Sequence, residues 1–88
     1  MDIAKFRYNG KGIPARMHGG IQRYVEQHIK PGDFLMAVLC NNLKEACHRA
    51  DDENVDLLPV YVAYFYNEAP SSCWGSPEKV WEWIEAKP

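Results

Sequence analysis

The chain has 88 residues, 47% of them hydrophobic and 25% charged, with a formal net charge of −2; these proportions fit one small globular domain and exclude a second. Ten Lys and Arg against twelve Asp and Glu supply no general basic field for gripping nucleic acid or an anionic membrane, so neither is an expected partner. No apolar run approaches the roughly 18 residues that cross a bilayer, and Met1 to Tyr8 lacks the basic-then-apolar order of a secretory signal, which makes the cytoplasm the expected location.

The first seventeen residues mix apolar anchors (Ile3, Phe6, Tyr8, Ile13) with turn formers (Asn9-Gly10, Gly12, Pro14) and show no helical period. They read as an extended arm, in which Asp2 to Tyr8 is a strand only if it finds a partner around Tyr61–Tyr66 or on another protomer. From Gly19 the pattern changes: Ile21, Tyr24, Val25, His28 and Ile29 form one stripe of an amphipathic helix, predicted over 19–29 and stopped by Lys30-Pro31-Gly32. His28, at the end of that stripe, suits the helix dipole as a cation and reads as structural.

A second helix over 33–50, with Asp33 as its N-cap, carries the longest stripe: Leu35, Val38, Leu39, Asn42, Leu43, Ala46, Cys47 and Ala50. Phe34 to Cys40 is apolar throughout, so those turns need cover on every side, either inside the domain or at a subunit interface. Asn42 stands within the stripe and needs a polar partner, because a buried amide left unpaired costs about 1–3 kcal/mol. The partner is a backbone group, a twin Asn42 across a two-fold axis, or the polar edge of a ligand.

A third helix is predicted over 54–69, capped by Asp51 or Asp52, through Val55, Leu58, Val62, Phe65, Tyr66 and Ala69. Pro59 places its start near Asp56 or kinks it there. The β-forming run Val60 to Tyr66 leaves a strand as the alternative, and the length of the stripe favours helix. Ser76-Pro77-Glu78 is a strong start for a last helix over 77–86, with Val80, Trp81 and Ile84 docking it and Trp83 on its flank. The expected fold is therefore all-α: four helices in residues 18–88 behind an extended arm over 1–17.

Cys40, Cys47 and Cys73 are an odd number for a disulfide framework. Cys40 and Cys47, seven residues apart on one helix, stand roughly 10 Å apart, too far to bridge, and read as small apolar residues of a buried stripe. With His48 the cysteines lack any zinc-ligand spacing, so no metal or cofactor is expected. Ser72-Cys73-Trp74-Gly75 resembles the nucleophile segment of papain-like proteases only in its Cys-Trp pair, and neither a His nor an Asn follows it; Trp74 reads as packing against the last helix, and the protein as no enzyme.

Arg16, His18, Gly19, Gly20 and Arg23 gather basic side chains at the predicted start of the first helix, where free amides and the dipole favour an anion. Tyr24 and Trp74 are the aromatics available for stacking on a base, and Asn42 the amide available for reading a polar edge. Lys44, His48 and Arg49 form a second cationic strip at a helix end, where a structural role suffices.

The runs Gly20-Ile21-Gln22-Arg23-Tyr24-Val25-Glu26, Pro31-Gly32-Asp33-Phe34-Leu35-Met36-Ala37-Val38-Leu39-Cys40-Asn41-Asn42-Leu43 and Cys73-Trp74-Gly75-Ser76 resemble a family of small helical proteins encoded by phages and prophages. The resemblance covers residues 13–84 and transfers no catalytic residue; this chain has Asn41-Asn42 where that pattern commonly shows Asn-Asp. It implies a counter-defence factor in the host cytoplasm that works by stoichiometric binding. The foremost expectation is a homo-oligomer that sequesters a signalling nucleotide of host immunity at Arg16, His18, Gly19, Gly20, Arg23, Tyr24, Asn42 and Trp74. The alternatives are an inhibitor that masks a host defence protein, with Asp51, Asp52 and Glu53 meeting a basic surface, and a phage accessory protein without an immune role.

Overall fold

The N-terminal segment is folded onto the core and is no free arm. In the structure, a computed structural model that describes residues 2–86, Asp2 caps a single 3-10 turn at Ile3–Lys5, and Ile3 and Ile13 are buried. Tyr8 and Lys11 exchange both backbone hydrogen bonds, 2.9 and 3.0 Å, around Asn9 (φ 52) and Gly10 (φ 76). Two successive positive φ angles are what a tight Asn-Gly turn requires. That bridge is the only extended pairing among the described residues, and Asp2 to Tyr8 forms no strand.

Helix α1 (Ala15–Gln27) starts four residues ahead of the predicted 19, directly after Pro14, whose fixed φ leads into a helix at no conformational cost. It ends at His28, which adopts the left-handed conformation (φ 60) that glycine usually takes at this position. A side chain there costs about 1–2 kcal/mol, and Trp83 supplies the compensation. The His28 ring stacks on it at 4.2 Å, His28 Nδ1–H donates to its carbonyl at 2.6 Å, and Trp83 Nε1–H donates to Tyr24 O at 2.9 Å.

The predicted helix over 33–50 is two helices, α2 (Asp33–Leu39) and α3 (Leu43–Arg49), hinged at the Asn-Asn pair. Asn41 turns left-handed (φ 61), its amide donating to Val38 O (3.1 Å) and that of Asn42 to Ala37 O (2.9 Å), which closes α2 with a Schellman motif. The Asn42 side chain then accepts from Glu45 N (3.3 Å) and opens α3 as its N-cap. Asn42 is thus exposed and needs no twin across a two-fold axis. Asp33 lies in the first turn of α2, with Gly32 in the cap position assigned to it from sequence. Asn42→Ala is expected to cost about 1 kcal/mol as a lost N-cap and Asn42→Asp almost nothing; urea unfolding of the two variants checks this, and equal losses would point to a role other than capping.

The third predicted helix is also divided, into α4 (Asp52–Val55), capped by Asp51, and α5 (Leu58–Glu68), with Pro59 in the first turn where a missing N–H costs nothing. Residues 60–66 are helical. Asn54, inside α4, is 3% exposed, and its side-chain amide oxygen accepts from Tyr61 OH of α5 at 2.6 Å. α6 (Pro77–Glu85) begins at the predicted Ser76 cap, whose hydroxyl accepts from Lys79 N.

The result is an all-α domain of six helices among the described residues. α2 lies at its centre, against α3, α5 and α6. Leu35, Ala37, Val38 and Leu39 are buried within the one chain, while Phe34, Met36 and Cys40 of the same apolar run are half-buried against the core. Tyr24, Tyr61, Phe65, Cys73 and Val80 complete the core.

Candidate functional site

Of the basic residues expected to receive an anion, Arg16 is already engaged with carboxylates. Arg16 donates through Nη2 to Asp51 (2.7 Å) and Glu53 (2.9 Å), and these hydrogen bonds, that to Glu53 first, raise its pKa above the ordinary arginine value. The same contacts tie up two of the three acids expected to face a basic partner. Asp51 is held below the usual carboxylate range, chiefly by the backbone amide of Asn54 that it caps and then by Arg16.

Gly19 and Gly20 are the fifth and sixth residues of α1, past the four whose amides a helix leaves free, so they present no anion cradle. The Arg23 guanidinium folds back over Gly19, where a Cβ would stand 2.9 Å from its Nη1. His18 Nε2–H donates to Ile13 O at 2.7 Å and pins the segment before α1.

Tyr24 is fully buried, its hydroxyl donating to the Cys73 carbonyl, and cannot stack on a base. Asn42 is spent on the α3 cap, and Trp74 is half-buried against Phe65, ring centroids 6.2 Å apart. Arg16, His18, Tyr24, Asn42 and Trp74 therefore each make a local contact of their own.

The cysteines divide differently from expectation. Cys47 is exposed, because the break at Asn41-Asn42 rotates α3 relative to α2; Cys40 is half-buried and Cys73 fully buried. Burial pushes the Cys73 thiol up to about 11, the opposite of the lowered value that makes a thiol nucleophilic. In the second cationic strip Arg49 pairs with Glu45 and Asp33. Among the described residues no three His, Cys, Asp or Glu are grouped to hold a metal ion, and no helix is long and apolar enough to cross a membrane.

What the sequence did not mark is an apolar outer face on α5. Pro59, Val62, Ala63, Tyr66 and Asn67 share it, and Leu43 at the start of α3 and Tyr8 of the N-terminal turn flank it. Tyr66 is 76% exposed, Leu43 70%, Val62 48% and Tyr8 42%. Together with Leu58 they line a shallow groove of about 490 Å³ without a charged residue. Val62 and Tyr66 had been assigned to the core stripe. Phe65 of that stripe does enter the core, joined by Val60, Tyr61 and Tyr64; because α5 is apolar on both sides, its periodicity alone does not say which side faces inward.

No family model matches the chain, and no curated protein or solved structure shows significant similarity to it.

Proposed function

We propose that this protein is a non-catalytic binding protein that acts stoichiometrically, by docking the outer face of α5 and the start of α3 onto an amphipathic helix of another protein. The observation that carries this reading is the uncharged groove with Tyr66, Leu43, Val62 and Tyr8 exposed around it. The two tyrosines alone present roughly 180–300 Å² at their exposures, and a soluble monomer rarely leaves a contiguous apolar patch beyond a few hundred Å² without a use for it. From Leu58 to Tyr66 the face runs about 12 Å, enough for two turns of a partner helix with anchors at i, i+3 or i+4, and i+7. A counterpart without charges suits a surface that has none.

The likeness of Gly20–Glu26, Pro31–Leu43 and Cys73–Ser76 to small phage-encoded proteins makes a host protein the inferred partner and its masking the inferred role. Nucleotide sequestration at the start of α1 has less support, since Arg16 already holds two carboxylates. A photo-crosslinking residue at position 62 tests the docking reading. The expected product, in the host cell, is a heteromer whose crosslinked peptide comes from an apolar helix face. Affinity for that partner is then expected to fall about thirtyfold or more in Tyr66→Ala, an exposed aromatic anchor whose loss leaves the fold intact. Crosslinks only to a second copy of the chain, or full affinity in Tyr66→Ala and Val62→Asp, would overturn it.

A further inference from the structure

The other side of Tyr66 opens onto a second, chemically different cleft. It measures about 530 Å³, within the size range of small-molecule sites, and is lined by Tyr66, Ser71, Trp74, Gly75 and Lys79. The segment that forms it is tightly held. Ser71–Cys73 is a 3-10 turn, Trp74 is extended (φ −154), Gly75 N–H donates to Leu39 O at 2.7 Å, and Ser76 caps α6. Gly75 sits at φ +110, which a side chain adopts only under strain, so bare backbone forms this part of the cleft.

Two aromatic walls and one cation meet there. The Trp74 ring packs on Phe65, whereas Tyr66 is 76% exposed, with little packing to hold its ring. Lys79 reaches back so that its Nζ donates to Ser71 O at 3.3 Å and stands 3.9 Å from where a Gly75 Cβ would be. Among the described residues no carboxylate lies within ion-pair distance of Lys79, although Glu78 and Glu82 share its helix. Two of its three N–H bonds remain for a ligand.

We infer that this cleft is a binding site for a flat heteroaromatic ring carrying an anionic group, of the nucleoside monophosphate class. The ring stacks between Trp74 and Tyr66, and the phosphate receives the Lys79 ammonium. Aromatic walls suit a planar ring because stacking needs a face and no particular hydrogen-bond pattern. A lysine without a carboxylate partner lets the anion bind without first breaking an ion pair. The site is separate from the start of α1, and it touches the docking groove only through Tyr66.

Titration of the intact protein with AMP, adenosine and inorganic phosphate, followed by proton–nitrogen correlation spectra, tests this. The expected result is saturable movement of the Trp74 indole, Gly75 and Lys79 amide signals with AMP. The Trp81 and Trp83 indoles should stay still, and AMP should bind about tenfold or more tighter than adenosine or phosphate alone. Lys79→Met, an exposed substitution that spares the fold, is expected to bring AMP down to the affinity of adenosine, and Tyr66→Ala to weaken both about tenfold. No movement at Trp74 and Gly75 with AMP, or equal affinity for AMP and phosphate, would overturn the proposal; so would a Lys79→Met variant that binds AMP unchanged.

Discussion

Replacing Phe65 by alanine is expected to destabilise the protein by about 3–5 kcal/mol, the range for emptying a fully buried phenylalanine site. Phe65 is 0% exposed and stands between the Tyr64 ring (5.5 Å) and the Trp74 ring (6.2 Å), so it joins α5 to the turn ahead of α6. Small domains hold only about 5–15 kcal/mol in total, so this one change removes a large part of the margin. Urea unfolding should show a much lower midpoint with an unchanged slope, the mark of lost stability in an unaltered fold. A loss below about 1 kcal/mol would mean that the neighbouring rings close the cavity, and the packing described for Phe65 would then be wrong.

Alkaline conditions are expected to unfold the protein through groups that are buried in their neutral form. The Cys73 thiol titrates at about 11 in the fold against an ordinary 9.0, with burial the leading cause. Its folded pKa is the higher one, so its contribution is whole below pH 9 and declines as pH climbs from 9 to about 11. Two pH units correspond to about 3 kcal/mol. Burial also raises the Tyr24 and Tyr61 phenols above the ordinary 10.0, which extends the loss above pH 10. Circular dichroism at fixed urea from neutral to strongly alkaline pH should show cooperative unfolding that begins near pH 9, and Cys73→Ala should make the loss between pH 9 and 10 shallower, leaving the part that the Cys40 thiol, also raised by burial, contributes. Stability unchanged across this window would contradict the burial of all three groups.

The all-α class was legible because the apolar spacing is helical through most of the chain, and the Ser76-Pro77 start of the last helix is strong in any context. The breaks were less so. Asn41-Asn42 reads as an interruption of polarity in an apolar stripe, and its meaning as a stop followed by a start appears only when Asn41 is seen left-handed. The unusual left-handed His28 was invisible because the ring that supports it lies 55 residues away. The candidate surfaces failed to show for two reasons. Basic residues near Gly19-Gly20 are adjacent in sequence whatever their partners, and Asp51 and Glu53 reach Arg16 only through the tertiary fold. Tyr66 and Val62 lie on a helix apolar all round, where composition marks burial but packing alone selects the exposed side.

The clasp of His28 and Trp83 sets an order on biosynthesis. Its two hydrogen bonds link residues 55 and 59 positions apart, and the Tyr24 hydroxyl reaches 49 positions ahead to Cys73. A chain emerging from the ribosome can wind α1 early, but it cannot finish the end of that helix until Trp83 has arrived. Such distant closures are slow compared with winding a helix, so the C-terminal end of α1 is secured only after the residues of α6 have been made, and until then its buried face is open to whatever else binds nascent chains.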